Sequence, residues 1–271
     1  NRIQSCLCIK KHINQMKVVI VGSGNVAHVL CSTIQTAGHE ITQIISRNIV
    51  HANELAARYN AQSGLLSDEK FADADIYIIA VTDAALESSE KLKGLKNRFI
   101  VHTAGSIPID ILKDCSSTYG VLYPLQTLSK EITYVPEIPF LIEGNNKETL
   151  EKIRTFAGSL SANVIESTDK ERLQYHVAAV FAGNFTNHLY AIAETFCRKE
   201  KIDFKNLLPL INEVANKANT FSPQAVQTGP AIREDIVTLN RHLQTLAPHA
   251  DLKYIYLKIS ESILKLHEKT K

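Results

Sequence analysis

The chain has 271 residues, 30 Lys+Arg against 28 Asp+Glu, a formal net charge of +2, and 45% hydrophobic and 21% charged residues. This balance excludes general disorder and lacks the basic footprint of a nucleic-acid binder. No apolar run reaches the roughly 18 residues of a membrane span, and the five cysteines, with no CxxC pair, read as reduced thiols of a cytoplasmic enzyme.

Residues 1–15 are mildly basic and carry neither a long apolar core nor a small-residue cleavage site. Met16, the single methionine, stands directly before Lys17-Val18-Val19-Ile20-Val21-Gly22. The expectation is that Met16 is the natural start and that residues 1–15 are an extension without function.

From Lys17 onward, apolar runs alternate with amphipathic segments. Lys17–Val21 is a β-branched run of the kind buried in parallel sheets. A helix is expected over Asn25–Ala37, stopped by Gly38, then a strand over Glu40–Ile45 and a helix over His51–Tyr59. Asp75–Val81 and Arg98–Thr103 read as strands, with Ala84–Leu92 helical between them. Tyr119–Tyr123, Pro139–Glu143 and Asn163–Glu166 complete the strands, and Lys147–Leu160 is a helix. Such alternation predicts an α/β fold, a doubly wound Rossmann-like parallel sheet spanning residues 16–167.

After residue 167 no strand is expected. Thr168 with Glu171 forms a capping box that opens a long helix to about Lys201. Asp203–Asn219, Arg233–Leu246 and Leu252–His267 follow as helices. Residues 168–271 therefore read as an all-helical domain.

Gly22-Ser23-Gly24-Asn25-Val26-Ala27 is a GxGxxA turn between the first strand and first helix. The first glycine permits the tight turn and the second lets backbone approach a pyrophosphate. The small Ala27 allows close helix packing, and the free N–H groups of the helix start favour phosphate. The second strand ends in Ser46-Arg47-Asn48, without the acid that holds the ribose in an NAD site. An arginine and a hydroxyl suit a 2′-phosphate, so NADP is favoured over NAD. Val81-Thr82-Asp83 and His102-Thr103 end two later strands, where ligands bind in open α/β sheets. Asp83 reads equally as a helix cap, and His102 equally as a buried histidine. No paired metal spacing is present, so no metal is expected.

These motifs, with His102–Ser106, Tyr123–Thr127, His176–Asn184 and Thr228-Gly229-Pro230 followed by Arg233, Asp235 and His242, resemble small bacterial NADP oxidoreductases. In that family a Rossmann-like domain precedes a helical domain of unknown function. More distantly, the chain looks like pyrroline-5-carboxylate reductase, deazaflavin-dependent NADP reductases and 3-hydroxyacid dehydrogenases. The C-terminal half looks like that of the 6-phosphogluconate dehydrogenase relatives. The resemblance implies hydride transfer to a small carbonyl or imine substrate at an interdomain cleft, and homodimers built through the helical domain.

The 3-hydroxyacid dehydrogenases carry a catalytic Lys and Asn four apart on the corresponding helix. Here Asn184 has Val180 at that spacing, so His176 would have to serve as proton donor and Asn184 to orient the substrate, while His176 reads equally as a buried polar residue hydrogen-bonded across helices. Gln126 and Arg233 are candidate substrate contacts, Arg233 through its fit to carboxylates; Gln126 reads equally as a loop glutamine, and Arg233 more readily as a structural salt bridge or dimer contact. A non-catalytic NADP(H)-binding sensor is the alternative that the missing lysine favours.

Overall fold

The computed structural model describes residues 14–87, 92 and 94–268. The extension expected over 1–15 lies largely outside the described residues, as does the end of the helix expected over 84–92.

The α/β part is built from β1 (Lys17–Val21), α1 (Asn25–Thr36), β2 (Glu40–Ser46), α2 (Ile49–Ala57), β3 (Gln62–Leu65), β4 (Ile76–Ile79), α3 (Asp83–Glu87) and β5 (Phe99–His102). It continues through β6 (Thr118–Pro124), β7 (Phe140–Gly144), α4 (Lys147–Leu160), β8 (Val164–Glu166) and α5 (Asp169–Ala179). The strands form one sheet in the order β3-β2-β1-β4-β5-β6-β7-β8. Its first six positions, 3-2-1-4-5-6, are the doubly wound dinucleotide-binding order, with the switch point between β1 and β4. Val18 to Val21 are wholly buried, as an apolar run covered on both faces requires.

Two departures from the expected sheet have physical causes. β7 runs antiparallel to β6, Val121 opposite Glu143 and Tyr123 opposite Leu141, so the sheet is mixed rather than wholly parallel. Apolar content signals burial, but it does not encode strand direction. β3 pairs with β2 at the sheet edge although no strand was expected there. Its sequence, Gln62-Ser63-Gly64-Leu65, has little β propensity, and the neighbouring strand supplies the hydrogen bonds that order it.

The capping box forms as expected: Glu171 N donates to Thr168 Oγ1 at 3.3 Å and Thr168 N donates to Glu171 Oε2 at 2.9 Å. The helix it opens does not run unbroken to Lys201. A π-helical stretch occupies Val180–Phe185, where one backbone turn is widened by an extra residue.

By its internal contacts the chain divides into two compact units, residues 1–185 and 186–271. α5 thus belongs to the α/β unit, which extends past residue 167. The second unit holds α6 (Thr186–Glu200), α7 (Leu208–Thr220), α8 (Ile236–Thr245) and α9 (Ala250–Glu268). Of its described hydrophobic residues only Cys197 and Ala231 are buried, while Leu210, Val214, Phe221, Ile236, Val237 and Tyr254 are among those exposed. No described helix is long and apolar enough to cross a membrane.

Candidate functional site

The glycine turn takes its shape from one contact. Gly22 has φ +134°, and a Cβ there would lie 2.0 Å from the Ala80 carbonyl oxygen at the end of β4. Only glycine fits at that position. At Gly24 a Cβ would meet nothing within 4 Å, so the space before α1 is open to a ligand. The first turn of α1 carries no acidic residue, and no side chain caps it. Its N–H groups are therefore available to an anion.

The turn opens onto a cleft of about 580 Å³ lined by Gly22, Ser23, Gly24, Asn25, Ser46 and Arg47, with Val81 and Thr82 from the turn after β4. Ser23 Oγ and Ser46 Oγ lie 2.8 Å apart, joining the glycine turn to the end of β2. Arg47 is exposed at the rim and has no ion-pair partner among the described residues. The cleft wall also carries His51, Glu54, Arg58 and Lys130, which sequence reasoning did not single out. Three of these follow a 0, 3, 7 spacing along and just past α2, a helical-face signal that was readable. Lys130 arrives from the loop after β6, where its backbone N–H donates to Asn25 Oδ1 at 3.3 Å.

Next to the cleft, at the carboxyl ends of β4, β5 and β6, the structure assembles a group of polar side chains. Tyr123, the penultimate residue of β6, hydrogen-bonds His176 of α5, with its hydroxyl 2.9 Å from His176 Nδ1 and the rings edge to face. Gly105 supports both: a Cβ there would lie 2.7 Å from His176 Nδ1 and 2.9 Å from Tyr123 Cζ. The adjacent Ser106 donates its hydroxyl hydrogen bond to Asp83. Burial holds the Tyr123 phenol above its ordinary pKa, and the Asp83 carboxylate adds to this. Tyr123 is therefore a neutral phenol with a histidine at its oxygen and an acid nearby.

Family comparison decides what this arrangement belongs to. The family model described as NADP oxidoreductase, coenzyme F420-dependent, matches residues 17–105. A second model, of the domain of unknown function DUF2520, matches residues 138–263. A solved structure from Bacteroides fragilis, provisionally described as an NADP oxidoreductase, is 36% identical, with a TM-score of 0.87 over 93% of this chain and 99% of that one. The chain belongs to this NADP oxidoreductase family.

Other solved structures share the fold of the family at lower identity. The reductive aminase from Aspergillus terreus, in complex with NADPH and ethyl-5-oxohexanoate, is 14% identical with a TM-score of 0.67, covering 93% of this chain and 94% of that one. The 1-pyrroline-5-carboxylate reductase of Streptococcus pyogenes is 17% identical with a TM-score of 0.57, covering 93% and 99%. No curated protein matches the sequence.

Within this family member, the residues singled out by sequence are placed as follows. Gly22 to Asn25, Ser46, Arg47, Val81 and Thr82 line one cleft, and Val26 lies in the first turn of α1. Asp83 is the first residue of α3, and its carboxylate is engaged by Ser106. His102, read equally as a ligand contact and as a buried histidine, is wholly buried. Its Nδ1 accepts from Ala104 N at 3.2 Å. Burial, with the Arg172 charge adding to it, pushes its pKa down to about 3, so it is neutral and shapes the loop that follows. Thr103 is likewise buried, with its backbone N–H donating to the Ile79 carbonyl at 3.2 Å.

His176 and Asn184 are eight residues apart, but the π-helical stretch between them inserts about one residue, so the spacing acts as two α-helical turns. Both then project from one face. Gln126 is exposed and already engaged: Nε2 donates to the Glu137 carbonyl at 2.9 Å and Oε1 accepts from Thr127 N at 2.9 Å. Arg233 lies before α8, not within it, because Asp235 caps that helix by accepting from Thr238 N at 3.0 Å. Tyr123 is the main residue that sequence reasoning missed as a site residue. It sits 53 positions from its partner, and no local pattern marks such a pair.

Proposed function

We propose that the protein is an NADP-dependent reductase of a small imine or carbonyl compound, working in the α/β unit at the carboxyl ends of β4, β5 and β6. The observation that carries this reading is the Tyr123–His176 hydrogen bond of 2.9 Å over Gly105. A reduction of C=N or C=O needs a proton as well as a hydride, and the pair is built to hold one. NADPH, when bound, supplies the hydride.

Gly22, Ser23, Gly24, Asn25 and Val26 would hold its pyrophosphate, Ser46 and Arg47 its 2′-phosphate, and Val81, Thr82 and Asp83 its nicotinamide ribose. The open space at Gly24, and the Arg47 charge without an ion-pair partner among the described residues, suit those groups. His176 and Tyr123 deliver the proton to the substrate's nitrogen or oxygen. Asn184, on the same face as His176, orients the substrate. The Asp83 carboxylate beside this pair favours the positive charge that develops on an imine nitrogen as the pair protonates it.

Titration of NADPH and NADH into the wild type and Arg47→Ala tests the cofactor assignment. The wild type is expected to prefer NADPH, and the variant to lose about 10–150-fold in NADPH affinity, the worth of one charge-assisted contact. Its NADH affinity should hardly change. Binding of neither nucleotide would remove the reading. Tight NADPH binding without turnover of any cyclic imine or ketone would leave a nucleotide sensor.

We further propose a homodimer formed through the helical unit. The exposed apolar side chains of that unit support it, as does an apolar cavity of about 560 Å³ lined by Leu189, Phe196, Ile255 and Ile259. Surfaces this apolar are ordinarily covered. Sedimentation equilibrium at micromolar concentration should give twice the chain mass; a monomer there sinks the proposal.

A further inference from the structure

Arg172 is the largest fully buried side chain among the described residues. It lies on α5, four residues before His176 and so on the same helix face. Its guanidinium joins three segments. Nη1 donates to Glu143 Oε2 on β7 at 2.6 Å. Nη2 donates to the Ile107 carbonyl at 2.7 Å and also bonds the Asp169 carboxylate at the start of its own helix. Asp169 in turn accepts from Ile109 N at 2.9 Å. The loop after β5 is thus held to α5 at two points, Ile107 and Ile109.

That loop is the one bearing Gly105, on which the His176 and Tyr123 rings rest, and Ser106, which bonds Asp83. The network is an uneconomical way to fill the space. Arg172 Nε has no hydrogen-bond partner among the described residues, and burial raises the pKa of Glu143 against the pull of its ion-pair partner. Apolar side chains of similar volume at both positions would avoid both penalties. What an apolar chain cannot do is hold the loop and the helix in one register.

We propose that Arg172 is a positioning residue: it sets His176 against Gly105 and Tyr123 by locking α5 to the loop after β5 and to β7. The inference rests on the reductase reading for the reaction served, whereas the placement itself stands on contacts within the α/β unit. Loss of the lock leaves the cofactor cleft intact, because none of its lining residues bonds Arg172. It displaces the proton-donating ring, and a displacement of about 1 Å lowers turnover by roughly 100-fold.

The test follows the His176 ring by NMR of protein with ¹⁵N-labelled histidine, which needs no substrate. Tyr123→Phe supplies the reference signal for a His176 Nδ1 that has lost its hydrogen bond. Arg172→Lys is expected to move the His176 Nδ1 resonance toward that reference while NADPH affinity stays within about twofold. Glu143→Gln, which weakens one arm of the lock, should move it the same way and less.

With an imine as substrate, the lysine variant should lose kcat by about 10–100-fold with KM changed less than threefold. If Arg172→Lys fails to fold, Glu143→Gln decides alone. An unmoved resonance in the folded variants overturns the proposal. A moved resonance in a protein whose wild type reduces nothing would refute the reductase reading and leave the positioning role standing.

Discussion

Replacing Gly22 with alanine will destabilise the nucleotide end of the sheet and abolish NADPH binding. The residue sits at φ +134°, and the new methyl group would meet the Ala80 carbonyl oxygen at 2.0 Å and its carbon at 2.7 Å. Both obstacles are backbone, held by the β1–β4 pairing, so no side chain can move aside. Backbone strain of this kind costs about 1–3 kcal/mol, and the overlap adds to it. A total of roughly 3 kcal/mol or more lowers Tm by about 6–12 °C in a chain of this size. Gly24→Ala is the matched control. Its Cβ projects into open space at φ −87°, so Tm should hold while NADPH affinity falls, because the methyl group stands where the pyrophosphate must come. Thermal unfolding and nucleotide titration of the two variants check this. Equal Tm values for both would show that the Ala80 contact does not constrain the turn.

Replacing His176 with alanine will reduce imine turnover by about 10²–10⁴-fold, the usual contribution of a positioned proton donor, with NADPH affinity unchanged. The ring touches Tyr123 and the space above Gly105 and does not line the nucleotide cleft. Tyr123→Phe keeps the ring and removes the hydroxyl, so it separates two roles. If tyrosine is the final donor, the two variants lose similar activity; if histidine is, phenylalanine is the milder change. Steady-state NADPH oxidation with a cyclic imine reads both. Wild-type rates in His176→Ala would remove the histidine from the mechanism.

Much of the nucleotide site was legible along the chain because its parts are contiguous. The turn from Gly22 to Ala27 combines a strand end, two glycines and a helix start within a few residues, and each has a local reason. The Thr168–Glu171 box was equally readable, since capping involves residues three apart. The end of β2 offered Ser46 and Arg47 by position alone. His51, Glu54 and Arg58 were missed although their helical spacing was visible, because a charged face reads first as a solvated one.

The Tyr123–His176 pair was only half legible. His176 stood out because no lysine precedes Asn184 by four residues, but Tyr123 became significant only when β6 was placed beside α5. The same holds for Arg172, which in sequence looks like an ordinary charged residue in a capped first turn. Its burial arises from the approach of Glu143, Ile107 and Asp169, from β7, the loop after β5 and the start of its own helix.

By itself, the sequence determined the doubly wound α/β class, the order of its strands and helices apart from β3, the glycine turn and the change to helices in the second half. These follow from hydrophobic period, caps and glycine placement, all of which act over a few residues. Only the tertiary structure decided that β7 runs antiparallel, that β3 exists, that His102 is sealed inside and that Tyr123 meets His176. Strand direction, edge pairing and long-range hydrogen bonds depend on which distant segment arrives alongside, and no local pattern carries that information.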